Sequence, residues 1–234
     1  MKQLSLLSGQ QKASADGHPW IYRNQIDMRT WQEHVDNEPL PGDLVTVQDS
    51  RGRHLGCGFY NPSSMIAVRL LTHRREPIDE EMIRDRISAA VLYRQLHKRP
   101  DTDSYRLIFA EADRLPGVIA DLFGDTVILQ ILALGMERWQ DLIIATLIET
   151  VKPKRLILKN DEPIRLKEGL PLYRKVCLGD DVDQVIIREN GLSLAVDLAH
   201  GQKTGYFLDQ KANHDRLRAY VPGKTVLDCF CYSG

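Results

Sequence analysis

The sequence lacks any apolar run long enough to cross a membrane. No stretch of its 234 residues reaches the roughly 18 consecutive apolar residues that a spanning helix requires. The first residues, MKQLSLLSGQQK, also lack the long apolar region and small-residue cleavage site of a secretory signal. With 43% hydrophobic and 27% charged residues, the composition is typical of a soluble globular chain. We therefore predict no membrane partner and a cytoplasmic location.

The chain is also poor in cysteine, with only Cys57, Cys177, Cys229 and Cys231. A single residue separates the last two, which is not the CxxC spacing, and no histidine stands at zinc-ligand spacing beside them. If this segment is a strand, alternation points both thiols to one face, where small buried hydrophobes are the interpretation we favour. The sequence predicts no metal site.

A strong charge of one sign is absent as well, since the formal net charge is −1. Any binding of nucleic acid must therefore come from local patches. Residues 1–75 contain nine lysines and arginines against seven acids, which is a mild basic bias. The Gly-rich fingerprint GxGxxG is missing too, and this argues against a nicotinamide-dependent oxidoreductase.

Short strands and turns are predicted for residues 1–74, with spacing typical of a small barrel. Gly56 and Gly58 alternate with apolar residues, which indicates a bend or a close approach of two backbones. Trp20 has two interpretations: an aromatic that stacks on bases, or a core residue of the barrel, which composition favours. Arg51 and Arg53, on a predicted turn, are candidates for phosphate contacts.

Residues 75–184 change to a mixed α+β pattern, with two helices near 79–99 and 136–151 and four strands. Asp79 and the acids after it favour a helix start. Glu111 and Asp113 are either a pair of carboxylates for acid–base chemistry or solvated loop acids, and without a histidine or metal partner we favour the second. Residues 180–183 form an acidic linker candidate.

The end of the chain is predicted to contain a hairpin, a polar loop, a helix and a final strand. Asn190-Gly191 between two apolar runs is a strong signal for a two-residue hairpin turn. The apolar run from Val226 to Phe230 is typical of a parallel strand that is covered on both faces, and small residues follow it. In an open α/β sheet, ligands bind just past such a strand end.

Five stretches carry a resemblance to one family: HPWIY, LGCGFYNPSS, SYRLIFAEADRLPGVIADLFGD, GQKTGYFLDQ and VLDCFCYSG. From about Gly9 to Gly234 the chain resembles the S-adenosylmethionine-dependent methyltransferases that modify C5 of cytosine in large-subunit ribosomal RNA. The resemblance implies an α+β chain in three parts. These are a PUA-like RNA-binding pseudobarrel (1–74), a central α+β module that connects and orients substrate (75–184), and the hairpin and first strand of a Rossmann-like methyltransferase domain (185–234).

The resemblance also implies S-adenosyl-L-methionine as cofactor. Lys203 would pair with its carboxylate, Thr204 would donate a hydrogen bond, and an aromatic would lie near the sulfonium cation. From the sequence alone, Asp209 is placed as the cap of a following helix. The implied cofactor-binding residues are Lys203, Thr204, Tyr206, Phe207, Asp209, Gln210, Asp228, Tyr232, Ser233 and Gly234.

Ribosomal RNA is the implied partner, and the implied RNA-binding residues are Trp20, Arg23, Arg51 and Arg53. The oligomeric state stays open, with a homodimer as one alternative. Methylation at C5 requires a thiolate that adds to C6 and a base that later removes the C5 proton. We assign none of the four cysteines as this nucleophile. In the family that cysteine lies well downstream, so we expect it beyond Gly234.

The match to only the start of a catalytic domain suggests that the chain is a fragment of a longer enzyme. We expect the isolated chain to be inactive, and the alternative function is an RNA-binding module without catalysis. A single parallel strand cannot satisfy its own backbone groups. We therefore expect residues 1–184 to fold alone and residues 185–234 to be only loosely ordered.

Overall fold

The structure, a computed structural model, describes residues 1–29 and 38–230. It has a mixed α+β architecture with two five-stranded sheets and a separate two-stranded hairpin. Residues 1–72 build the first sheet, residues 105–178 the second, which we call the central sheet, and residues 184–197 the hairpin. This order agrees with the α+β class predicted from the sequence.

The first sheet has the strand order β1-β3-β4-β5-β2, with β1 and β3 parallel and the other pairs antiparallel. An isolated bridge between Leu6 and Ile26 joins the segments that follow its two edge strands. A Cβ atom at Gly58 would lie 2.1 Å from the carbonyl oxygen of Arg69, so the predicted close approach of two backbones is confirmed. The elements are β1 Lys2–Ser5, helix α1 Lys12–Ala15, β2 Trp20–Tyr22, a 3-10 turn Arg23–Gln25, β3 Leu44–Gln48, β4 His54–Tyr60 and β5 Ile66–Thr72.

The central sheet has the order β10-β9-β8-β7-β6, and only β8 and β9 are parallel. Helices α2 and α4 cover one face. The predicted helix start near Asp79 is confirmed, and the Asp79 side chain caps α2 by accepting a hydrogen bond from the backbone N–H of Met82. The elements are α2 Glu80–His97, β6 Tyr105–Phe109, a 3-10 turn Ala110–Asp113, β7 Val118–Phe123, β8 Thr126–Ile131, α3 Leu134–Glu137, α4 Gln140–Val151, β9 Arg155–Asn160, α5 Ile164–Lys167 and β10 Tyr173–Leu178.

The core under these helices extends into the first sheet. Phe59 and Leu71, from β4 and β5, pack in the same buried cluster as Ile83 and Ile87 of α2. A Cβ atom at Gly135 would lie 2.0 Å from the ring of Phe59, which shows how closely α3 approaches β4. The first sheet keeps a separate buried cluster of its own, which includes Leu4, Ile21 and Val68, and contacts the central core through Phe59 and Leu71.

The hairpin consists of β11 Gln184–Glu189 and β12 Leu192–Asp197, paired in the antiparallel register that the sequence predicted. Asn190 and Gly191 form its turn with φ angles of 51° and 79°, the left-handed region that this residue pair favours. The hairpin covers the second face of the central sheet. A buried cluster joins the two parts and contains Phe123, Ile128, Ile157, Ile187, Val196, Leu198, Tyr206 and Leu208.

This cluster shows that residues 185–208 are packed rather than loosely ordered, contrary to the expectation from the sequence. Their apolar side chains share a core with β7, β8 and β9, so a boundary at residue 184 would cut through it. The expectation overlooked the second face of the central sheet, which needs a cover as much as the first does.

The strand predicted at Val226–Phe230 is absent from the structure. Helix α6, Lys211–Leu217, is followed by turns and irregular backbone, and the side chains of Leu227 and Phe230 are 84% and 95% exposed. A strand needs a hydrogen-bonded neighbour, and no described strand lies beside this segment. The prediction of a strand here was wrong because the local pattern gave no information about that neighbour.

Candidate functional site

The 200–210 loop follows β12 and carries most of the predicted cofactor residues. It begins with a turn held by Asp197, whose carboxylate accepts hydrogen bonds from the backbone N–H groups of Ala199 (2.9 Å) and His200 (2.7 Å). The hydrogen bond from His200 lowers the pKa of Asp197. The loop then crosses the second face of the central sheet, where buried polar side chains meet it.

Thr204 is fully buried, and its hydroxyl donates a 2.6 Å hydrogen bond to the Asp121 carboxylate. Asp121 lies on β7, is itself fully buried and receives two further hydrogen bonds from the guanidinium of Arg106, at 2.8 and 2.9 Å. A buried carboxylate is stable only when it is paired and hydrogen-bonded. Thr204 therefore belongs to a three-residue cluster that fastens the loop to the sheet.

Lys159, on β9, fastens the same loop from its backbone side. Its side chain is only 3% exposed, and the ammonium group donates to the carbonyl oxygens of Gly201 (3.1 Å) and Lys203 (3.3 Å). No carboxylate pairs with Lys159 among residues 1–29 and 38–230. A buried cation that has only carbonyl partners holds those carbonyls strongly, because it lacks water as a competitor.

Tyr206 turns its ring into the cluster under the hairpin. Its hydroxyl donates to Glu189 (3.4 Å), and Nδ1 of His214 lies 2.8 Å from the same carboxylate oxygen. Burial, together with the nearby charge of Glu189, raises the pKa of Tyr206 to about 12. Glu189 therefore links the loop, the hairpin and helix α6.

The other loop residues predicted at the site are directed away from this buried layer. Lys203, in a left-handed conformation with φ 59°, and Asp209 are exposed, whereas Phe207 and Gln210 are partly buried. The predicted capping role of Asp209 was wrong. Gln210 occupies the N-cap position of α6, without a side-chain capping bond, because the helix begins one residue later than the pattern suggested.

Asp228 and the last predicted residues are not assembled with the loop. The Asp228 side chain is exposed and accepts a hydrogen bond from the backbone N–H of Phe230 (3.0 Å). Tyr232, Ser233 and Gly234 lie outside the described residues. The structure thus brings together the residues from Lys203 to Gln210 and leaves Asp228 in an irregular segment.

The four predicted RNA-binding residues lie in three different settings. Trp20 is partly buried at the junction of the two sheets, where its indole N–H donates to Glu111 (2.9 Å) and the guanidinium of Arg69 lies 5.7 Å from its ring centre. Arg23 is exposed in the 3-10 turn and lines a groove of about 580 Å³ with Tyr22 and Met65.

Arg51 and Arg53 lie together on the β3–β4 turn around one buried acid. The Asp49 carboxylate accepts hydrogen bonds from both of their backbone N–H groups, at 2.8 and 2.9 Å, and from the guanidinium of Arg53 (2.7 Å). These hydrogen bonds lower the pKa of Asp49 in spite of its burial. Arg53 is therefore partly neutralised, whereas Arg51 keeps an exposed side chain.

Glu111 and Asp113 are not solvated loop acids, so that interpretation was wrong. Glu111 accepts hydrogen bonds from Trp20 and Arg69, and Asp113 forms a two-pronged ion pair with Arg94, at 2.6 and 2.8 Å. Both acids serve structural pairs that the sequence pattern could not reveal. Their partners are 19 to 91 positions away in the chain.

The described cysteines offer no activated thiol. Cys57 is buried, Cys177 is partly buried and Cys229 is exposed, so the expectation that Cys229 is buried was wrong. Burial raises the pKa of Cys177, the opposite of what a nucleophile needs. No group of three or more potential metal ligands occurs among residues 1–29 and 38–230.

Sequence reasoning missed the residues that hold the loop in place: Arg106, Asp121, Lys159, Glu189 and His214. One signal was available. Asp121 and Lys159 stand directly beside the apolar runs of the strands VIADLF and RLILKN, and buried charges in such strands need partners. The identity of those partners depends on the tertiary fold.

Comparison with known proteins finds matches to one domain family and to full-length relatives. Residues 4–73 match the family model of the PUA-like domain. A ribosomal RNA large subunit methyltransferase I from Shewanella amazonensis is 34% identical over 235 residues, covering 99% of this chain and 58% of that protein. The protein of the same name from Erwinia tasmaniensis is 35% identical over 235 residues with the same coverage. Over nearly its whole length, this chain is similar to proteins of that name.

The chain spans little more than half the length of these two relatives.

Two solved structures share its fold. One is a candidate SAM-dependent methyltransferase from Streptococcus mutans, with TM-score 0.72 and 20% identity over 93% of this chain and 54% of that one. The other, a candidate methyltransferase complexed with SAH, has TM-score 0.73 and 20% identity over 93% and 53%. The similarity to ribosomal RNA large subunit methyltransferases that the motifs predicted is confirmed.

In the described ranges, no helix combines the length and the apolar character needed to cross a bilayer.

Proposed function

We propose that the protein containing this chain is an S-adenosylmethionine-dependent methyltransferase that modifies C5 of a cytosine in large-subunit ribosomal RNA. The observation that carries the proposal is the match over 99% of the chain to relatives named ribosomal RNA large subunit methyltransferase I. Within that match, the GQKTGYFLDQ segment is a loop fixed by buried charges, which is the preorganisation that a binding site requires.

The loop residues fit the methionine end of S-adenosylmethionine. Exposed Lys203 suits the carboxylate, exposed Asp209 suits the ammonium group, and the ring of Phe207 suits the sulfonium cation. Gln210 would add a polar contact, whereas Thr204 and Tyr206 act by holding the loop. The cofactor would supply an electrophilic methyl group, and Asp228, Tyr232, Ser233 and Gly234 would complete the wall of the pocket.

The chemistry at C5 requires a nucleophile that these residues do not provide. A cysteine thiolate must add to C6 of the base before C5 can attack a methyl group. Buried Cys57, Cys177 with its raised pKa, and exposed Cys229 without a described basic partner do not fit this role. Cys231 lies outside the described residues, and we propose that the nucleophile belongs to a part of the enzyme that the described residues do not include.

For the RNA, we propose that the PUA-like pseudobarrel, residues 1–74, binds ribosomal RNA and that residues 75–184 orient it toward the loop. Arg51 supports this proposal because its guanidinium is exposed on a turn. Trp20 fits less well than the sequence suggested, since its indole N–H is already engaged by Glu111. Residues 185–234 would begin the methyltransferase domain.

The test is methyl transfer by the intact protein from its native source. Protein-free large-subunit ribosomal RNA is incubated with radiolabelled S-adenosylmethionine, and the product is digested to nucleosides. We expect label in 5-methylcytidine. Label in another nucleoside would reject C5 specificity alone, and no incorporation, into either RNA or assembled large subunits, would reject the methyltransferase.

The alternative is an RNA-binding module without catalysis, and the exposed segment 226–230 favours this reading for the isolated chain. We expect the 234-residue chain to bind RNA without transferring a methyl group. Methyl transfer by this chain would exclude the alternative.

A further inference from the structure

A cleft of about 650 Å³ lies at the junction of the first sheet and the central module, away from the 200–210 loop. Its walls come from the segment after β5, from α2 and from the turn before β7. This volume is within the range of ligand-binding pockets, about 300–1,000 Å³. We call it the junction cleft, and the charged residues on its walls are Arg74, Glu76, Asp85, Arg86, Glu111 and Arg114.

The three arginines of the junction cleft lack ion-pair partners, unlike their neighbours. Beside the cleft, Arg69 and Arg94 are paired with carboxylates at 2.6–3.1 Å. In the part of the chain that the structure describes, Arg74, Arg86 and Arg114 form no ion pair. The cleft therefore presents three arginines outside any ion pair, beside the carboxylates of Glu76, Asp85 and Glu111, of which Glu111 is already paired with Arg69.

Arg86 and Arg114 are held close together in spite of their like charge. The Arg86 guanidinium donates a 2.7 Å hydrogen bond to the backbone carbonyl of Arg114. Burial and the charge of Arg114 both lower the pKa of Arg86. Arg86 is half-buried and Arg114 is exposed, and both line the same cleft, so one anion there can contact both.

The backbone conformation of Arg114 supports a role for this residue in binding a ligand. Its φ angle is 59°, in the left-handed region that arginine rarely adopts, and Ala110 at the start of the same turn has φ 44°. Asp113 keeps the turn in place through its ion pair with Arg94 and by accepting a hydrogen bond from the backbone N–H of Phe109 (2.6 Å). Strained residues that their surroundings hold in place are typical of binding sites.

We propose that the junction cleft binds the RNA backbone, with Arg74, Arg86 and Arg114 as phosphate ligands. This proposal rests on the proposed function and names a surface of the same substrate. Glu76 and Asp85 line the cleft as hydrogen-bond acceptors, and the ribose 2′-hydroxyl is a donor that DNA lacks. A second cavity, of about 600 Å³ and lined by Arg53 and His54, shares Gly17 and His73 with the cleft and extends the path toward the β3–β4 turn.

The test uses the intact protein and a labelled single-stranded RNA of mixed sequence, in filter-binding titrations at several salt concentrations. Arg86→Gln and Arg114→Asn each remove one charge, and asparagine tolerates the left-handed backbone at position 114. We expect each variant to bind about 10-fold more weakly and to reduce the slope of log K against log salt by about 1.

Two controls separate phosphate contact from a structural effect. Lys98→Gln removes an exposed charge from the end of α2, and Arg86→Lys keeps the charge inside the cleft. We expect both to retain the wild-type salt slope, with unchanged melting temperatures for all variants that are compared. A DNA of the same sequence should bind more weakly than the RNA.

The outcomes distinguish this proposal from the one on which it rests. Unchanged affinity and salt slope in Arg86→Gln and Arg114→Asn, with normal RNA binding by the wild type, would overturn the cleft assignment alone. Equal affinity for RNA and DNA would overturn the role of the 2′-hydroxyl. Failure of the wild type to bind this RNA would overturn the cleft assignment, whereas the methyltransferase proposal depends on the methyl-transfer test.

Discussion

Two segments of the predicted cofactor site, residues 198–208 and residues 226–230, differ in what surrounds them. Leu198, Thr204 and Tyr206 are buried against the central sheet and the hairpin, while Leu227 and Phe230 are almost fully exposed. Both segments carry motif residues of the same family. Residues 198–208 are held by the central sheet and the hairpin. Residues 226–230 would need neighbouring strands, and no described strand lies beside them. Motif strength therefore does not indicate how a segment is held.

The largest expected effect comes from making the same substitution in both segments. Leu198→Ala deletes a side chain that is 0% exposed, whereas Leu227→Ala deletes one that is 84% exposed. We expect Leu198→Ala to lower the free energy of unfolding by about 2–5 kcal/mol and Leu227→Ala to change it by less than about 0.5 kcal/mol. Urea denaturation of the 234-residue chain measures both. Equal losses in the free energy of unfolding for the two variants would contradict the difference in burial between the two segments.

The structural features that depend on a few adjacent residues were predictable from the sequence. The Asn190-Gly191 turn and the helix start near Asp79 follow from preferences of a few adjacent residues, and both were found. The contacts that hold the loop join residues far apart in the chain. Thr204 and Asp121, for example, are 83 positions apart. No periodicity encodes such a pairing, so it became visible only in the tertiary structure.

The wrong predictions have related causes. The strand at 226–230 was inferred from apolarity alone, but a strand forms only beside a partner. Glu111 and Asp113 were assigned to solvent because their arginine partners come from other elements. Strand β10, Tyr173–Leu178, was not predicted, since its polar and apolar residues do not alternate regularly.

A smaller effect is expected from the buried carboxylate under the loop. Asp121→Asn removes the charge that Arg106 and Thr204 share, and we expect a loss of about 2 kcal/mol, below the value for fully buried pairs because Arg106 is partly exposed. Asp181→Asn is the matched control, since the Asp181 side chain in its ion pair with Arg174 is 56% exposed. A loss in the control as large as in Asp121→Asn would contradict the account.

Lys159→Met tests whether the contacts that hold the loop also matter for cofactor binding. The variant leaves the carbonyls of Gly201 and Lys203 without their donor, at a cost of about 1 kcal/mol. If the loop binds S-adenosylmethionine, its affinity in the intact protein should fall about 10-fold, as measured by calorimetric titration. Lys154→Met, at a side chain that is 77% exposed, should leave the affinity unchanged.

The smallest effect concerns the pH dependence of the loop's first turn. Because the pKa of Asp197 is lowered in the folded state, its contribution to stability is present above the unfolded value of about 3.9 and is lost as pH falls through the folded value. Amide exchange at Ala199 and His200, corrected for its intrinsic pH dependence, should therefore lose protection in acid. Asp197→Asn should abolish this pH dependence, and a persistent dependence would assign it to another group.

Hydrogen exchange across residues 185–230 of the 234-residue chain tests the central claim most directly. The account predicts strong protection in the hairpin and in the buried part of the loop, up to Leu208, and rapid exchange from residue 224 to 230. Uniform protection across both segments, or rapid exchange in both, would contradict it.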